Sequence, residues 1–198
     1  MSKHKQPSTS PVLSMFQDSY RELTHTKTLI MLGLFMALCI VLASFRIRTP
    51  IFTISFTALA RMYVALLVGP IAGGIFGITS DLLSFALNGG GAAFFPGYTL
   101  TEGLGMFLYG LFFYRQQISL KRVLLAKFVV ILICNVFLGT LWLALMAGGE
   151  ILPYFQMYLP VRLVKNLIQW PVDSVLFCML AGVFARAGVT RMAMAKSR

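Results

Sequence analysis

An all-α membrane protein, a bundle of six transmembrane helices with N- and C-termini cytoplasmic, is the fold class that this sequence predicts. Three observations carry the prediction. Of 198 residues, 58% are hydrophobic and only 12% are charged, where a soluble domain carries about a quarter charged residues. Mean hydropathy is +0.82, so there is too little polar surface to cover a water-soluble globule, and lipid must solvate the remainder. The apolar residues fall into runs that can span a bilayer at about 20 residues each, and Lys and Arg collect at the ends of those runs.

Residues 1–27 are polar and basic without an apolar core. They are read as a cytoplasmic tail, not a cleavable signal, with a short amphipathic helix around Val12–Leu23. Residues 28–187 make the membrane domain. Segment 1 runs from Thr28 to Phe45, and segment 2 covers about Thr53 to Val68, ending at the turn signal Gly69-Pro70. Segment 3, Ile71 to Leu87, follows at once and opens on Ala72-Gly73-Gly74 and Gly77; the Gly-rich loop Asn88–Ala93 comes next. Segment 4 starts at Phe95 or Tyr98 and ends near Tyr114, segment 5 spans Val123 to Ala147, and segment 6 runs from about Leu159 to Phe184. Residues 188–198 are a cytoplasmic C-terminal tail. Segments 2 to 4 are short for a span and each carries an ionisable residue, which predicts that they face a bundle interior, not lipid.

Orientation follows from the basic residues. Lys3, Lys5, Arg21 and Lys27 lie in the first tail, Arg115, Lys121 and Arg122 between segments 4 and 5, and Arg186, Arg191, Lys196 and Arg198 at the C-terminal end. Six passes bring all three groups to one side, the cytoplasm by the positive-inside rule. The 3–4 and 5–6 loops are then external, with Glu150 as their only charge. The first external loop breaks the pattern with Arg46 and Arg48. Two arginines there either snorkel to lipid phosphates or meet an anionic ligand arriving from outside.

Segment 6 has the most informative spacing. Arg162, Lys165, Asn166 and Gln169 fall at i, i+3, i+4 and i+7, on one helical face that Asp173 extends by a turn. Cations and amides along one stripe of a membrane helix cost several kcal/mol unless something satisfies them. Either an interhelical network or a bound ligand does so, and the position of the stripe in the outer half of the helix favours the ligand. At the outer junction of segments 3 and 4, Pro96 and Gly97 interrupt the backbone beside Phe94, Phe95 and Tyr98. Irregular backbone at membrane depth belongs where protein or a cavity surrounds it. Three aromatics beside freed amides make a stacking platform for a flat ring, with Trp170 a candidate fourth. Arg61 and Asp81 lie at similar separations from Gly69-Pro70, so antiparallel segments make them an expected buried ion pair, with a ligand role as the second reading. Glu102 is read as a capping or pairing group near the outer mouth and Lys127 as a cytoplasmic-end snorkeller, neither assigned to the site. Gly33 and Ala37 on segment 1 form a small-xxx-small pair that lets another helix approach closely.

Several classes are excluded. Despite a net charge of +11, the basic residues flank apolar runs instead of forming a stripe on a polar fold, so no nucleic-acid partner is expected. No P-loop is present. His4 and His25 both lie in the tail, and Cys39, Cys134 and Cys178 stand singly in apolar segments, so no metal site and no cofactor are expected. No catalytic residue is assigned, and the chain is not read as an enzyme.

The combination of Val68-Gly69-Pro70, Gly73-Gly74 and Asp81-Leu82-Leu83, then Phe94-Phe95-Pro96-Gly97-Tyr98-Thr99-Leu100, then Leu108-Tyr109-Gly110-Leu111-Phe112, resembles the substrate-binding S components of energy-coupling factor (ECF) vitamin transporters. The run from Phe94 to Leu100, with Lys165-Asn166-Leu167-Ile168, looks like the folate members. The resemblance implies a multi-pass cell-membrane subunit that captures folate with high affinity from outside and cannot move it alone. Its implied partners are a transmembrane coupling protein and two cytoplasmic ATPase subunits, and such components are thought to topple in the membrane to deliver substrate. The family docks through an Ala-x-x-x-Ala motif, whose two places Gly33 and Ala37 take here. The implied binding residues are Phe94, Phe95 and Tyr98 on the rings, with Gly97 and Thr99 completing that run. Asn166 and Gln169 would meet the pterin edge, and Arg46, Arg48, Arg162 and Lys165 would offer charge to the two glutamate carboxylates. An S component for riboflavin, pantothenate or thiamine is the nearest alternative. An intramembrane enzyme using Asp81, Asp173 or Glu102, or a secondary transporter, would be of a different class; the chain shows no inverted repeat.

Overall fold

Apolar helices dominate the computed structural model, which describes residues 11–44, 47–48, 53–54, 57–88, 94–146, 148 and 151–186. Along the chain they are α1 (Pro11–Glu22), α2 (Thr26–Ser44), a ribbon of β1 (Ile47–Arg48) and β2 (Thr53–Ile54), α3 (Thr57–Asn88) and α4 (Pro96–Phe113). Then come α5 (Leu120–Val130), a π-helical stretch (Ile131–Leu138), α6 (Gly139–Met146) and α7 (Ile151–Arg186). Four helical runs are long and apolar enough to cross a membrane: α2, α3, α5 through α6, and α7.

The six-helix expectation holds because α3 contains two passes. Gly69 sits inside it at φ 81° and ψ −170°, a conformation open to glycine and strained for other residues. A Cβ built on Gly73 lies 3.7 Å from the Cα of Ala65. Eight residues of continuous helix would separate these positions by about 12 Å, so the two arms fold back on each other. The second arm then runs antiparallel to α4. Gly110 of α4 meets the backbone at Pro70 so closely that a Cβ there would come within 2.5 Å of the Pro70 nitrogen. With α4, the passes are α2, the two arms of α3, α4, the α5–α6 run and α7.

Helix α1 lies within the stretch expected to be a tail, and it packs on the broken end of α3. The wholly buried Ser19 donates its hydroxyl to the Val68 carbonyl at 2.8 Å. The same oxygen accepts from the backbone N–H groups of Ile71 at 3.0 Å and Ala72 at 3.1 Å. One side chain therefore satisfies backbone groups on both sides of the break that helical hydrogen bonding has abandoned. Phe16 stacks on Phe107 and Arg115 pairs with Asp18, holding α1 to the α4 end of the bundle.

Three boundaries differ from the sequence reading. The helix expected from Thr53 begins at Thr57, because Thr53–Ile54 pairs with Ile47–Arg48 as an antiparallel ribbon. The last helix begins at Ile151, not Leu159; Pro160 and Pro171 lie inside it, since a neighbouring helix can take up the groups that a proline frees. The expected fifth segment is helical from Val123 to Met146 but turns π-helical midway, where the Gly139 N–H donates to the Cys134 carbonyl five residues back.

Candidate functional site

Helix α4 opens with Pro96, which suits the first turn, and Phe95 caps it without a side-chain hydrogen bond. Phe95 meets Tyr98 edge-on at 5.9 Å and Trp142 of α6 at 5.6 Å. Gly97 lies between Phe95 and Trp142, with no room for a side chain. The Trp142 indole is held by donation to Thr101 Oγ1 at 2.8 Å, and that hydroxyl donates in turn to the Gly97 carbonyl at 2.9 Å. The result is a braced aromatic cage at the end of the bundle that the basic residues assign to the outside. Phe94 stands beside it, tilted on Phe85 at 5.1 Å and 45% exposed. Thr99 turns away and donates to Asp81 on α3 at 2.7 Å.

The polar stripe of α7 faces the π stretch. Arg162 donates to the Asn135 carbonyl at 3.2 Å and lies close against Gly139. Asn166 accepts from the Asn135 amide at 3.2 Å and donates to the Arg162 carbonyl at 2.8 Å. Gln169 donates to Asp173 at 3.2 Å, and Lys127 of α5 reaches the same carboxylate oxygen at 2.6 Å. Neither Arg162 nor Lys165 forms an ion pair with a described residue. Among the described residues, two cations on the polar stripe of a membrane helix are thus left without a carboxylate, which favours an anion there.

Other positions depart from expectation. Arg61 pairs with Glu102 and not with Asp81, because Thr99 occupies the Asp81 carboxylate and α4 presents Glu102 to the first arm of α3. Lys127 does not snorkel: its side chain is 7% exposed and locked to Asp173. Trp170 is not part of the cage; it donates to the Leu124 carbonyl at 2.8 Å and packs on Phe128. Trp142 stands where a fourth aromatic was expected. Arg46 lies outside the described residues; Arg48 is described as backbone in β1 only. Sequence reasoning missed Trp142, Thr101 and Asn135. Their signal was a hydrogen-bonding side chain within or beside an apolar run, as intramembrane Asn135 is.

Residues 27–181 match the family described as ECF transporter, substrate-specific component. The chain is 36% identical over 129 residues to a folate transporter FolT of Clostridium novyi, covering 65% of this chain and 72% of that protein. It is 30% identical over 150 residues to a folate transporter FolT of Leuconostoc mesenteroides, covering 75% and 80%. Among solved structures it is similar to a crystal structure of FolT bound with folic acid, with a TM-score of 0.71 and 31% identity over 81% of this chain and 95% of that one. The chain therefore belongs to the substrate-specific components of ECF transporters, which are membrane transport subunits and not enzymes.

Proposed function

We propose that this chain captures folate from outside the cell with high affinity and passes it to a separate ATP-driven module. The observation that carries the reading is the braced cage of Phe95, Tyr98 and Trp142 at the α5–α6 run, with Arg162 of α7 reaching that run and, like Lys165 one turn on, having no carboxylate partner among the described residues. A flat pterin and benzoyl system suits the aromatics, and two carboxylates suit the cations. The likeness to FolT proteins, one of them solved with folic acid, supports the same ligand. Phe94, Gly97, Asn166 and Gln169 complete the proposed site, Thr99 braces its floor through Asp81, and Arg46 and Arg48 are proposed to contribute charge. Asn166 and Gln169 already hydrogen-bond to the protein, so their part is the shape and polarity of the wall more than full ligation.

The partners are a transmembrane coupling protein and two cytoplasmic ATPase subunits. Gly33 and Ala37 are exposed on α2 next to Leu34 and Leu38, and nothing lies within 4 Å of where a Gly33 Cβ would sit. Such a face accepts a helix at close range. Calorimetric titration of the detergent-purified chain with folate, and with riboflavin as control, tests the ligand. One tight folate site with no riboflavin response is expected; folded protein that ignores folate overturns the reading.

A further inference from the structure

We infer that Glu102, held by Arg61, is the group that recognises the hydrogen-bond donors on the edge of the ligand's heterocycle; this rests on the folate reading above. Among the described residues, the bundle contains two intramembrane ion pairs of different character. Lys127 and Asp173 are closed on both sides, with side chains 7% and 6% exposed. Arg61 is similarly enclosed at 12%, but its partner Glu102 is 40% exposed. A pair that served only to join helices would be sealed like the first, because each exposed charge face weakens the attraction.

The open side of Glu102 is not lipid. Leu100, two residues earlier and so about 200° round the helix, is the outward residue at 60% exposed. Thr99 and Gly103 face Asp81 and Ile78 of α3, while Gly105 faces Val130 and Cys134 of the α5 run. Glu102 points between these two contacts, into the middle of the bundle. Tyr98 of the aromatic cage lies one turn above it on the same face, about 6 Å along the axis. A flat ring stacked in the cage would therefore bring its edge to the carboxylate.

Arg61 Nη1 donates to Glu102 Oε2, and Oε1 accepts no hydrogen bond from a described residue. A carboxylate with one oxygen anchored and the other open offers acceptor sites to two adjacent donors. The 2-amino group and the ring N–H beside it on a 2-amino-4-oxopteridine are such a pair. Arg61 acts as the positioning residue: it fixes the carboxylate and does not touch ligand.

The experiment compares folate with the analogue in which a methyl group replaces the 2-amino group, by calorimetry on the purified full chain. Wild type is expected to prefer folate by at least about tenfold, since a buried acceptor left without its donor is heavily penalised. Glu102→Gln should weaken folate by about 10- to 100-fold and the analogue, which keeps the ring N–H, by clearly less, so that the preference shrinks. Equal losses for both ligands, or none, would overturn the proposal while wild-type folate binding leaves the folate reading standing. If Glu102→Gln does not fold, the double variant Arg61→Met, Glu102→Gln removes the stranded cation and is read the same way. Wild type that binds both ligands equally refutes the proposal without any variant, whereas wild type that ignores folate refutes the reading beneath it.

Discussion

Arg162 concentrates the electrostatics of the proposed site, since its described contacts on the α5–α6 run are the Asn135 carbonyl and Gly139, with no carboxylate. Arg162→Ala is expected to weaken folate by about 10- to 100-fold, and Arg162→Lys to recover only part of that, because an ammonium cannot make the bidentate contact of a guanidinium. Titration of both variants checks this. Unchanged affinity in Arg162→Ala and in Lys165→Ala together would make the α7 stripe structural. Trp142 separates ring from hydrogen bond. Trp142→Phe keeps an aromatic wall but loses the bond to Thr101, so it should bind folate more tightly than Trp142→Ala does. Equal affinities of those two variants would remove Trp142 from the site.

Two devices act at the scale of the element. Ser19→Ala strips Val68, Ile71 and Ala72 of a shared partner at the break in α3. Each buried backbone group left unsatisfied is worth about 1–3 kcal/mol, so a clear fall in the unfolding temperature in detergent is expected; no change would mean that water takes the place of the hydroxyl. Lys127 and Asp173 join α5 to α7. Lys127→Met alone should be destabilising by about 3–5 kcal/mol, while Lys127→Met with Asp173→Leu should unfold near the wild-type temperature, because no charge is then left unpaired. Equal loss in the single and double variants would show that packing, not charge, sets the requirement.

For the whole molecule, capture and transport should separate. Purified chain in liposomes is expected to bind folate without accumulating it, and uptake should need the coupling protein, the ATPases and ATP. Gly33→Leu adds bulk to the exposed α2 face, away from the aromatic cage, so folate affinity should persist while uptake falls. Loss of both would place Gly33 in folding instead of docking.

How far these elements were legible in the sequence depends on what each one rests on. Hydropathy and charge add up along a chain and are read directly against a bilayer, so the six passes, the Gly69-Pro70 turn and the inward stripe of α7 follow from the residues themselves. The α7 stripe survives because 3.6-residue periodicity holds along that helix, even through Pro160 and Pro171. Contact partners do not add up in this way. Arg61 and Asp81 stand at matching distances from the turn, yet Arg61 meets Glu102, because the register of α4 is set by its close approach to Pro70 at Gly110. Trp142, not Trp170, reaches Phe95; the π stretch sets back the helical phase between Asn135 and Trp142 in a way that periodicity cannot anticipate. Ser19 fills the gap at Gly69 from a helix 49 residues earlier than Val68, a meeting that no local pattern announces. The sequence by itself determined the class, the passes and the polar face, because these depend on each residue's own preference for water or lipid; only the tertiary structure decided which side chains meet, because that depends on the rotation and register of one helix against another.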